Sequence, residues 1–89
     1  MKRIVSVEYS RKFLKSLSRL PAHIVVQSQE KENIFKNNPF DPRLATHKLH
    51  GGEKDTWTFS VVHAYRIKFV FLNGNKVLLL DIGTHEVYK

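Results

Sequence analysis

No cysteine occurs anywhere in the 89-residue chain. That excludes a disulfide framework and a thiolate zinc site, and it fits a reducing cytosol. Acidic residues are scarce: eight Asp and Glu stand against fifteen Lys and Arg, a net charge of +7. So large an excess on so short a chain attracts polyanions, nucleic acid first. A solvated basic surface, or one that meets an acidic protein, explains the charge equally. No apolar run approaches the roughly 18 residues of a membrane span, so no membrane partner is expected. The chain does not open with a charged segment followed by an apolar one, as a secretory signal does. A cytoplasmic location is therefore the expectation. There is no internal repeat, low-complexity tract or linker, and the length suits one domain over residues 1–89 with a modest core.

What is present alternates clearly between strand and helix patterns. "KRIVSVEY" suits a strand through Ile4, Val5, Val7 and Tyr9. Ser10 then reads as the N-cap of a helix over "RKFLKSLSRL". Phe13, Leu14, Leu17 and Leu20 recur at helical spacing there, with Arg11, Lys12, Lys15 and Arg19 on the other side. Pro21 stops this helix or starts the next, "AHIVVQSQEKENIFKNN". Its face of Ile24, Gln27, Ser28, Lys31, Ile34 and Phe35 is apolar at the ends and polar in the middle. So short a turn makes a helical hairpin.

Residues 37–55, "NNPFDPRLATHKLHGGEKD", read as a long loop. Loops of this length inside a small domain are often functional, and this one carries His47, Lys48, His50 and Lys54. "TWTFSVVH" and "YRIKFVFL" alternate as strands, and Asn73-Gly74 marks a hairpin into "KVLLLDI". That last strand is apolar on both sides and should lie centrally. The predicted fold is a β-α-α-β-β-β two-layer α+β domain, with a helical hairpin on one face of a mainly antiparallel four-stranded sheet.

Period 2 then sorts the faces. Trp57, Phe59, Ile67, Phe69, Leu78, Leu80 and Ile82 are expected to face the helices. Thr58, Ser60, Arg66, Lys68, Asp81 and His85 are expected on the open face, with His47 and Lys48 reaching its rim from the loop. A cationic face with two histidines suits metal-free cleavage of a phosphodiester. Such chemistry needs a base for the 2′-hydroxyl, an acid for the 5′-oxygen and fixed cations for the phosphorus oxygens. Histidine serves either proton role, and arginine matches phosphate oxygens. The ordinary readings stand beside these. His85 caps the last strand, Arg66 pairs with Asp81, Trp57 belongs to the core, and His23 and His63 are solvated. His47 and His50 lie three apart in a loop, without a carboxylate at matching spacing. No metal or cofactor is expected.

Four pieces in order, "YSRKFLKSLSRLP", "NPFDPRLATHKLHG", "WTFSVVHAYRIKFVF" and "LLLDIGTHEVY", span nearly the whole chain. Together they resemble the RelE/ParE superfamily of toxins from type II toxin–antitoxin systems. "HKLHG" and "GTH" look most like the RelE and YafQ branches, which are mRNA interferases acting commonly in the ribosomal A site. The resemblance implies an endoribonuclease with a cognate acidic antitoxin and mRNA as partners, leaving a 2′,3′-cyclic phosphate. It implies catalytic roles for His85, Arg66, His47 and Tyr88. It implies substrate contacts for Lys48 and Lys54, and His50 and Lys68 join them as donors near that face. His47 and His85 share the base and acid roles in either order. The YafQ pattern's further histidine and aspartate on the middle strands have no match here, where Val61 and Tyr65 stand. Glu53 is a weak counterpart of the YoeB-branch glutamate. Two other readings compete: a ParE-like inhibitor of DNA gyrase, and a non-catalytic basic module that binds nucleic acid.

Overall fold

The computed structural model describes residues 3–50 and 55–84. The elements are β1 (Ser6–Tyr9), α1 (Arg11–Ser18), α2 (Ala22–Asn37), a 3-10 turn (Pro42–Leu44), β2 (His47–Lys48), β3 (Thr56–Ser60), β4 (Arg66–Leu72) and β5 (Lys76–Gly83). They form a two-layer α+β fold: the two helices pack on a five-stranded sheet of order β1-β5-β4-β3-β2. Only β1 and β5 run parallel; the other pairs are antiparallel. β5 lies inside the sheet between β1 and β4, as its apolar character on both sides requires. Among the described residues no helix is long and apolar enough to cross a membrane.

Local chemistry explains the boundaries. Ser10 caps α1 by accepting from the Phe13 N–H at 2.9 Å, and its hydroxyl donates to the Leu80 carbonyl at 2.8 Å. One side chain thus starts the helix and ties it to β5. Pro21 occupies the cap position of α2, where a missing N–H costs nothing. The β4–β5 hairpin closes with three loop residues, since Leu72 pairs with Lys76. Gly74 (φ 72°) and Asn75 (φ 62°) both adopt positive φ there, which explains their residue types.

Phe13, Phe35, Leu44, Phe59, Ile67, Phe69, Val77, Leu79 and Ile82 are buried in one core. Phe35 of α2 stacks on Phe59 at 4.5 Å and meets Phe69 edge-on at 4.9 Å. Trp57 is half-buried against Phe40 and Phe71, so it packs as a core-edge residue.

Two expectations need correction. The 37–55 stretch is not uniform loop: it holds the 3-10 turn and a fifth, two-residue strand. On β5 the buried residues are Val77, Leu79 and Ile82, not Leu78 and Leu80. A β-bulge is the reason. Lys68 pairs with Asp81 but Phe69 pairs with Leu79, so Leu80 has no opposite number. One extra residue shifts the alternation by one.

Candidate active site

Antiparallel partners share a face of the sheet, so the register places the polar residues directly. His47 (β2) lies opposite Thr58 (β3), Thr58 opposite Lys68 (β4), and Lys68 opposite Asp81 (β5). Beside this row, Ser60 lies opposite Arg66 and Arg66 opposite Gly83. Two neighbouring rungs, one of four strands and one of three, therefore carry an imidazole, two hydroxyls, a guanidinium, an ammonium and a carboxylate.

Arg66 is held on several sides. Its Nε donates to Thr58 Oγ1 at 3.1 Å, and its guanidinium donates to Ser60 Oγ at 2.6 Å and to the Ala45 carbonyl at 3.2 Å. The same Nη2 that donates to Ala45 lies 3.3 Å from His47 Nδ1. Thr58 is fully buried. These acceptors fix the plane of the fork beside the imidazole.

His47 Nδ1 also lies 3.0 Å from the Ala45 carbonyl. The carbonyl only accepts and the Arg66 guanidinium only donates, so Nδ1 faces one partner of each kind and these contacts fit either tautomer. Ala45 can turn its carbonyl toward both groups because it adopts the left-handed region, φ 49°. The loop before it is braced for that purpose. Asp41 caps the 3-10 turn through the Arg43 N–H and pairs with the Arg43 guanidinium, all at 2.9 Å. Those hydrogen bonds from Arg43 hold the Asp41 carboxyl down at about 2. Thr46 donates from its hydroxyl to the Pro39 carbonyl.

The other candidates are distributed unevenly. Lys68 shares the face with Arg66. Lys48 does not: its partner is Trp57, so it points to the opposite face, and it pairs with Asp55 at 3.3 Å. His50 is exposed beyond the end of β2. Asp81 is not the partner of Arg66; it accepts from the Ser16 hydroxyl at 2.6 Å and pairs with Lys12 at 3.5 Å. His63 and His23 are exposed. His85, Tyr88, Lys54 and Glu53 lie outside the described residues. Among the described residues no three His, Asp or Glu side chains group as a metal site needs. A larger cavity, about 460 Å³, lies between the helices, where Tyr9 and Glu32 hydrogen-bond. It holds none of these residues.

The arrangement can hold an anion against a fixed cation beside an imidazole. The same architecture occurs in solved structures. An archaeal RelE in complex with RelB, from Pyrococcus horikoshii, superposes with a TM-score of 0.73 at 18% identity, covering 91% of this chain and 94% of that one. A YoeB/ParE toxin from Agrobacterium tumefaciens gives 0.77 at 14% identity, covering 91% and 99%. The YafQ toxin in the E. coli DinJ-YafQ complex gives 0.72 at 18% identity, covering 91% and 92%. The chain has the RelE-like fold. No family model matches the sequence, and no curated protein matches it. At such low identity the likeness is one of architecture alone. The RelE-like fold presents the Arg66 and His47 rungs on the sheet face turned away from the buried aromatic core.

Proposed function

We propose that the protein is the toxin of a type II toxin–antitoxin pair and acts as a metal-independent endoribonuclease on mRNA. The observation that carries this reading is the fixed Arg66 guanidinium lying 3.3 Å from the His47 imidazole on one sheet face. The resemblance of the sequence to the RelE and YafQ branches supports it. So does the recurrence of the fold in toxin–antitoxin complexes.

The His47 imidazole takes the proton of a ribose 2′-hydroxyl, and that oxygen attacks the adjoining phosphorus. Arg66 stabilises the charge that develops on the non-bridging oxygens, in an orientation set beforehand by Thr58, Ser60 and Ala45. The bond from phosphorus to the 5′-oxygen breaks. His85 supplies the proton to that leaving oxygen. The products are a 2′,3′-cyclic phosphate and a free 5′-hydroxyl. Tyr88 and Lys54 take the further catalytic and substrate-contact roles that the sequence resemblance implies. Cleavage takes place on mRNA in the ribosomal A site, and a cognate acidic antitoxin neutralises the +7 chain by folding over it.

The test is primer extension on mRNA from growing cells that express the protein, its Arg66→Ala form and its His47→Gln form. New 5′ ends appear with wild type and are lost with both variants. Growth arrest without new 5′ ends overturns the nuclease reading, and gyrase-linked DNA breaks in those cells point to ParE-like action instead.

A further inference from the structure

We propose a second anion subsite, formed by Lys12 of α1 and Lys68 of β4, that takes the phosphate adjoining the one at Arg66. This rests on the phosphodiester reading of the Arg66 rung and extends it. Lys12 and Lys68 line one cavity of about 230 Å³, together with Ser10, Leu80 and Asp81. Lys68 lies two residues from Arg66 on the same strand and the same face. At a strand rise of ~3.3 Å the two backbone positions are about 6.6 Å apart. That is comparable with the separation of neighbouring phosphates in a nucleotide chain.

The bulge in β5 builds the subsite. Without it, regular pairing would set Leu80 opposite Lys68; with it, Asp81 takes that place. Asp81 is anchored: Oδ1 accepts from the Ser16 hydroxyl at 2.6 Å and from the Ile82 N–H at 2.9 Å. Oδ2 faces the Lys12 ammonium at 3.5 Å. The carboxylate draws a helix cation to the end of the sheet face, where it joins Lys68. Among the described residues, the lining of the cavity carries two ammonium groups and one carboxylate. The Lys12 side chain is 75% exposed, so a ligand reaches it without any rearrangement of the core. Arg66, Lys68 and Lys12 then mark a cationic track running from β4 to α1.

The test is equilibrium binding of the full chain to a short, uncleavable 2′-O-methyl RNA strand over a range of salt concentrations. Lys12→Gln should weaken binding roughly fivefold at low salt, as expected for loss of one exposed ion pair. It should also reduce the salt slope by about 0.7, the share of one single-strand phosphate. Lys12→Arg should restore both. Lys76→Gln makes the same charge change at the far end of β5 and should leave the slope unchanged. A dinucleoside monophosphate, which has no adjoining phosphate, should bind wild type and Lys12→Gln alike. Equal behaviour of Lys12→Gln and Lys76→Gln on the longer strand overturns the subsite, as does a Lys12 effect on the dinucleotide. If Arg66→Gln also binds as wild type does, the phosphodiester reading falls with it; if Arg66→Gln alone weakens binding, only the subsite falls.

Discussion

Replacing Thr58 by Val tests how Arg66 is held. The two side chains have nearly the same shape, so the exchange removes a hydroxyl and leaves the packing. Thr58 is fully buried, and its Oγ1 accepts from Arg66 Nε at 3.1 Å. A hydrogen bond to a charged donor is worth about 1.5–3 kcal/mol. Arg66 is only partly buried, so water replaces part of the lost contact and about 1 kcal/mol of stability remains at stake. In a domain this small that lowers the melting temperature by about 4–8 °C. The effect on function should be larger. Ser60 and Ala45 still hold the far end of the guanidinium, but its plane can rotate about those contacts. Misplacement of a charge-stabilising group by about 1 Å costs up to roughly a hundredfold in rate. Calorimetry and RNA cleavage should therefore show a modest loss of stability beside a loss of activity of tenfold or more. Unchanged activity with a lowered melting temperature would refute the argument that Thr58 orients Arg66.

Phe35→Ala removes the ring that joins α2 to the sheet through Phe59 and Phe69. It should cost about 3–5 kcal/mol in urea unfolding, and a loss below about 1 kcal/mol would contradict its place at the centre of the core. Tyr9 should ionise well above the usual phenol range. Burial first, then the hydrogen bond to Glu32 and that group's charge, push it up to about 12 from 10.0. The raised folded-state value means that its contribution is complete below pH 10 and is lost as pH rises toward 12. Stability of the wild type should fall over that window more steeply than that of Tyr9→Phe, and equal slopes would refute the link.

Much of this architecture was legible because it rests on short-range rules. The Ser10 cap, the break at Pro21 and the Asn73-Gly74 hairpin are each written in one or two residues. Alternation put Thr58, Ser60, Arg66 and Lys68 on one face, since β3 and β4 pair without interruption from Thr56 to Ser60. It failed on β5 because a run of three leucines gives no sign of where an extra residue is inserted. β2 was hidden for another reason. A two-residue strand is too short to show a period, and only its pairing with β3 reveals that His47 faces the site while Lys48 faces away. Ala45 carried no signal at all: alanine has no preference for the left-handed region, and its carbonyl matters only once the loop is folded. Alternation alone offers Asp81 as an alternative partner for Arg66. The bulge instead gives it to Ser16 and Lys12, a contact that depends on where α1 crosses the sheet.

The most direct measurement is the mapping of mRNA ends in growing cells after a short induction of the wild-type chain, His47→Gln and Arg66→Ala. The account predicts new cleavage sites with wild type, each leaving a 2′,3′-cyclic phosphate on the upstream fragment, and none with either variant. Growth arrest by wild type with intact mRNA, or cleavage that persists in both variants, would contradict it.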